Sequence, residues 1–142
     1  MMEQRLTIVT MGVKDLKVAS EFYEKKIGWK KMKSSNEFIS FFQLNGILLS
    51  LYPKEKLAED ATVSQDGNGF KGFTLAYNTR SKEEVNELVE KLENRGVKII
   101  KRATVTFWGG YSSYVSDSDE NLWEIAFNPF LPLDDNGNII ED

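Results

Sequence analysis

The chain has 142 residues, of which 41% are hydrophobic and 28% charged, and a formal net charge of −4; this is an ordinary globular composition, long enough for one domain or two small fused modules with a real core. The acidic balance, with no long run of Lys or Arg, argues against nucleic acid or an anionic membrane as partner. The sequence contains no Cys and no His, which excludes disulfides and zinc–thiolate sites and removes the commonest general base and transition-metal ligand.

No apolar run approaches membrane-spanning length, and Met1 to Arg5 lack the apolar stretch of a signal peptide, so a cytoplasmic protein is expected. Arg5 to Val13 alternates as a strand, with Val9, Met11 and Val13 toward the core and Ile8, Thr10 and Gly12 on the other face. Asp15 reads as a helix N-cap, and Leu16, Ala19, Phe22, Tyr23 and Ile27 recur at helical spacing. Gly28 ends that helix. The lysine pairs Lys25-Lys26 and Lys30-Lys31 around this end read as solvated charges.

Trp29 to Lys33 and Glu37 to Leu44 are expected strands, the second rich in aromatic and β-branched residues. Asn45-Gly46 signals a hairpin, with Ile47 to Tyr52 as the returning strand. Pro53 opens a short helical piece, Lys54 to Asp60, and Ala61 to Gly69 reads as a polar linker. Phe70 to Asn78 is a strand. Ser81, with Glu84 three residues later, makes a capping box before the stripe Val85, Leu88, Val89 and Leu92, and Gly96 closes the helix. Val97 to Lys101, Thr104 to Trp108, Tyr111 to Val115 and Leu122 to Phe127 complete the strands. The two halves share length and element order, which predicts an internal duplication. The domains expected are residues 1–60 and 70–129, joined by a linker at 61–69, with a tail at 130–142 that is either a small hairpin or a loose arm.

The stretch Thr106 to Pro129 concentrates the chemistry. Alternation along the last strand puts Leu122, Glu124 and Ala126 on one face, opposite Trp123, Ile125 and Phe127. Glu124 either faces a wet cleft or pairs with Arg80 or Arg102, or it binds a polar ligand group or acts as a base, or it is a relict metal ligand. Phe107, Trp108, Gly109, Gly110 and Tyr111 read either as the aromatic wall of a binding cleft or as a bulged turn with Trp108 in the core. Tyr52 and Thr74 are cleft candidates by strand position.

The turn Asp117-Ser118-Asp119-Glu120 followed by Leu122-Trp123-Glu124-Ile125 resembles the closing hairpin of the vicinal-oxygen-chelate superfamily, which contains glyoxalase I, extradiol dioxygenases and the fosfomycin and bleomycin resistance proteins. Family members often carry Asp-Pro-Asp-Gly in this turn, so both Pro and Gly are replaced here. The opening Thr10 to Leu16, with Phe22-Tyr23 and Gly28-Trp29, is similar to the family's first strand and helix. The resemblance implies an α+β fold of two tandem βαβββ modules, a curled mixed sheet around a cleft, and a homodimer.

The family's metal ligands come from inward positions on the first and last strand of each module, which by this resemblance fall on Ile8, near Leu49, near Gly72 and on Glu124. Only Glu124 is a ligand type. One carboxylate cannot hold a catalytic divalent ion, so no metal and no other cofactor is expected. The function expected is metal-independent binding of a small apolar or aromatic molecule in the inter-module cleft, with Glu124, Trp108, Phe107, Tyr111, Tyr52 and Thr74 around it. The alternative is a lyase, isomerase or dioxygenase of the glyoxalase type, with Glu124 as base or in an altered metal site. A third reading is a structural role with the cleft filled by side chains.

Overall fold

In a computed structural model, which describes residues 2–67, 69–71 and 73–140, the chain divides into two compact units, Met1–Asn68 and Gly69–Asp142. The first contains β1 (Ile8–Val13), α1 (Leu16–Glu21, continued by a π-helical turn over Phe22–Lys26), β2 (Ser40–Gln43), β3 (Leu48–Pro53) and α2 (Lys54–Ala61). The second contains β4 (Leu75–Thr79), α3 (Lys82–Asn94), β5 (Lys98–Val105), β6 (Tyr111–Ser116) and β7 (Leu122–Phe127).

The first unit has sheet order β1-β3-β2, with β1 and β3 parallel and β2 antiparallel to β3. The second has order β4-β7-β6-β5, with β4 and β7 parallel and the rest antiparallel. In both, the first strand crosses over through a helix to lie beside the last strand. This shared topology accounts for the duplicated pattern seen in the sequence.

One face of each sheet is covered by its helix. In the first unit Met11, Val13, Leu49, Leu51 and Phe42 are buried together with Ala19, Phe22 and Tyr23 of α1. Full burial of one such side chain contributes about 1.5–3 kcal/mol. Asp15 caps α1 by accepting from the Val18 N–H at 3.1 Å. The π-helical turn closes with the Ile27 N–H on the Phe22 carbonyl, and Gly28, at φ 86°, reverses the chain after it. In the second unit Val85, Val89 and Leu92 of α3 are buried, as are Val97, Val115 and Ile125. Ser81 accepts from the Glu84 N–H at 3.1 Å, while the Glu84 carboxylate returns to the Arg80 N–H at 3.0 Å.

Five strand expectations are corrected. Trp29 to Lys33 is not a strand; only Lys31 bridges Phe42. Stacking of Trp29 on Tyr23, at 5.6 Å between centroids, holds this segment against α1 instead of in a ladder. Val97 to Lys101 and Thr104 to Trp108 are not two strands, because β5 runs unbroken from Lys98 to Val105 with register shifts on both sides of Lys101. Arg5 to Val13 and Phe70 to Asn78 shrink to Ile8–Val13 and Leu75–Thr79. The tail forms a small hairpin. Leu133 bridges Ile139, and the Asp134 carboxylate accepts from the Asn136 and Asn138 N–H groups, both at 2.9 Å.

Candidate functional site

The hairpin β6–β7 sets the geometry of the second unit. Its five-residue turn is built on Asp117, which is buried and accepts from the Asp119 N–H, the Asn121 N–H and the Asn121 amide, each at 2.8 Å. Lys71 braces the turn by donating to the Asp119 carbonyl at 2.7 Å and the Asn121 amide oxygen at 2.9 Å. Ser116 therefore faces Leu122, and Tyr114 faces Glu124. Across β7, Glu124 also neighbours Ala76 of β4.

Partners in register share a face. Ser112, Tyr114 and Ser116 thus lie beside Ala126, Glu124 and Leu122 on one face. Tyr111, Ser113 and Val115 lie beside Phe127, Ile125 and Trp123 on the other. The second of these is the α3 face, because the Tyr111 hydroxyl donates to Asn86 of α3 at 2.7 Å. Glu124 stands on the face that α3 leaves open.

On that open face Tyr114 is the cross-strand partner of Glu124. Partial burial and then the negative charge of the Glu124 carboxylate raise the Tyr114 phenol above the ordinary tyrosine range, and the Thr74 side chain opposes the shift. At neutral pH the phenol keeps its proton beside the Glu124 carboxylate. The result is a short polar row, Thr74, Tyr114 and Glu124, with Ala76, Leu122 and Ala126 as apolar neighbours on the same face.

Of the six residues expected around the site, the structure brings Thr74 and Glu124 together through Tyr114. Tyr111 is corrected: it belongs to the α3 face, turned away from Glu124, with its ring under the Lys82 ammonium. Phe107 and Trp108 occupy the β5–β6 turn, which closes through the Thr106 N–H on the Gly110 carbonyl at 2.9 Å. Phe107 is fully exposed there. Trp108 does not fill the core. Its ring covers Gly110, where an added Cβ would lie 2.0 Å from the indole, so only glycine fits beneath it. Tyr52 lies in β3 of the first unit, paired with Gly12 of β1.

The ion pairs envisaged for Glu124 are absent. Arg80 donates to the Asp134 carbonyl at 2.7 Å, and Arg102 pairs with Glu93. Sequence reasoning missed Tyr114. The signal for it was arithmetical: once Ser116 and Leu122 flank the turn, the residue opposite Glu124 must be Tyr114.

The donor set does not fit a family-type metal site. Ile8 is apolar, and Leu49 is buried on the α1 face with Phe42 as its strand partner. Gly72 lies outside the described residues. Among the described residues no three His, Cys, Asp or Glu side chains stand together as an ion would require. The open face of the first unit carries Thr10, Ser50 and Tyr52, and the buried Ser50 hydroxyl has no hydrogen-bond partner.

A parallel first-to-last strand pair, an antiparallel hairpin and a covering helix, found in both units, define the class of this protein. The sequence profile of the Glyoxalase/Bleomycin resistance protein/Dioxygenase superfamily matches residues 5–125, and the chain belongs to that superfamily. A glyoxalase-related enzyme from Fulvimarina pelagi is 33% identical, with a TM-score of 0.86 over 98% of this chain and 99% of that one. A glyoxalase/bleomycin resistance protein/dioxygenase family enzyme from Burkholderia phytofirmans PsJN shares the fold at 21% identity and a TM-score of 0.74, over 85% and 96% of the two chains. Lactoylglutathione lyase from Agrobacterium tumefaciens does so at 19% identity and a TM-score of 0.69, over 89% and 95%. No curated protein matches the chain.

Proposed function

We propose that this chain is a metal-independent small-molecule binding member of its superfamily, with Thr74, Tyr114 and Glu124 as the polar anchor. The observation that carries the reading is the cross-strand pairing of Tyr114 with Glu124 on the face free of α3. A carboxylate has about four acceptor positions, so one beside a tyrosine still accepts a donor from a ligand. Ala76 and Leu122 offer the ligand apolar contacts. The guest that suits this face has a flat apolar body and one N–H, O–H or cationic group.

The test is metal content and melting temperature of the purified protein with Ni²⁺, Mn²⁺, Zn²⁺ or Fe²⁺. No bound ion and no shift are expected. An ion at one per chain would sink the reading, because a ligand specific for the folded state at 100 times its Kd stabilises by about 2.7 kcal/mol.

The same pair of groups supports a second reading, a Glu-based isomerase or lyase. There Glu124 would take a proton from carbon while the neutral Tyr114 phenol donates to the developing oxyanion. Glu124→Gln separates the two: it abolishes turnover in an enzyme but weakens a binding protein only for ligands that carry a donor.

The Tyr114 environment has its own signature. Its folded-state pKa is raised, so the protonated phenol stabilises the fold. That contribution is complete below the unfolded tyrosine pKa, about 10, and is lost as pH rises through the folded value. In a titration of phenolate absorbance, Tyr114→Phe should delete the highest-titrating tyrosine, and Glu124→Gln should bring it part of the way back toward the ordinary range. A titration unchanged by both variants would remove Tyr114 from the site.

A further inference from the structure

Residues 25–33 contain Lys25, Lys26, Lys30, Lys31 and Lys33 and no carboxylate, in a chain whose net charge is −4. It also edges a groove of about 520 Å³ in the first unit, with Trp29, Met32 and Leu44 along the groove and Lys30, Lys31 and Lys33 around it. This lies within the roughly 300–1,000 Å³ of small-molecule sites.

The groove has fixed walls. Trp29 stacks on the buried Tyr23 at an interplanar angle of 24°, and the Trp29 backbone N–H donates to the Tyr23 carbonyl at 2.9 Å. The Met32 N–H donates to the Phe41 carbonyl at 2.8 Å, and the Gln43 amide donates to the Leu44 carbonyl at 3.0 Å. The indole therefore needs no ordering on binding, which lowers the entropic cost of capture.

The charges are unevenly compensated. Lys31 pairs with Glu24 at 3.3 Å, whereas Lys30 and Lys33 make no ion pair among the described residues. Two unpaired ammonium groups beside a rigid aromatic wall complement a ligand with an anionic head and an apolar body. A purely apolar ligand would leave the charges unused, and a polyanion would leave the indole unused.

We propose that this groove is a binding site for a small apolar acid, an aryl or alkyl carboxylate, separate from the Tyr114–Glu124 face. The test follows backbone and indole amide resonances of the full chain during titration with 2-naphthoate and with its neutral counterpart 2-naphthamide. Saturable shifts confined to residues 28–33 and 43–44 are expected with naphthoate. The amide should bind about tenfold more weakly, and raising the ionic strength from about 0.05 M to about 0.5 M should abolish most of that difference. Lys30→Gln and Lys33→Gln, both at exposed positions, should each weaken naphthoate up to about fivefold, the size of a partly screened ion pair.

Equal affinity for acid and amide would overturn the proposal. So would shifts centred elsewhere, or no saturable shift. Concentration-dependent shifts of the same residues without probe would assign the surface to a second copy of the chain. Lysine-dependent binding to vesicles of anionic lipid, without naphthoate binding, would assign it to a membrane. Either result would also overturn the proposal.

Discussion

The two units repeat one topology and put different chemistry on it. In the first, the β2–β3 hairpin turns at Asn45-Gly46, with Gly46 at φ 75° and the Leu44 N–H on the Ile47 carbonyl. In the second, the β6–β7 hairpin uses five residues held by one buried aspartate. The first unit has ten cationic against nine anionic side chains, a net +1, and the second has eight against thirteen, a net −5. The open face of the first carries the hydroxyls of Thr10, Ser50 and Tyr52 and no carboxylate among the described strand residues, and that of the second carries the Tyr114–Glu124 pair. Duplication fixes the scaffold; turn construction and a few face positions decide where reactive groups sit.

Four substitutions would break or sharpen this contrast. The largest effect should come from the shared part. Leu51→Ala, at a side chain with no exposure, should cost about 2–5 kcal/mol, and Leu92→Ala in α3 should cost a similar amount. Denaturant unfolding gives the size, and hydrogen exchange shows which unit loses protection. A cost below about 1 kcal/mol at either site would mean that its core relaxes freely.

Next is the device that only the second unit has. Asp117→Ala removes the acceptor of three bonds and should cost about 2–3 kcal/mol. It should also move Tyr114 off Glu124, visible as a downward shift of the highest tyrosine titration. Full stability with an unchanged titration would show that Lys71 and the backbone hold the hairpin alone.

The smallest effect has the opposite sign. Glu120 sits at φ 63°, the left-handed conformation that a side chain disfavours. This is the position where the resemblance led one to look for glycine. Glu120→Gly should raise stability by about 1 kcal/mol, and a lower melting temperature would show that the Glu120 side chain makes a compensating contact.

Much of this was legible in the sequence, for identifiable reasons. Helix boundaries followed from Asp15, Ser81 and Gly28, whose capping chemistry is local. The faces of β1 and β7 followed from strict alternation, and Glu124 was placed on its face that way. Non-local balances were not legible. Trp29 to Lys33 reads as a strand, but stacking of Trp29 on Tyr23 competes with the ladder. The bulges around Lys101 leave no composition signal, so one strand read as two. Tyr111 and Tyr114 are equally aromatic, and only the pairing register, counted outward from the turn, tells which of them meets Glu124.

The irregularity of β5 also bears on solubility. It is an outer strand of its sheet, and an outer strand offers unpaired N–H and C=O groups to any strand that arrives. Two breaks in register within eight residues, flanked by Lys98, Lys101 and Arg102, spoil both the spacing and the charge balance that such an arrival needs. Deleting Ile100 would remove the first of these two breaks, and the second unit should then show more edge-to-edge aggregation at high concentration.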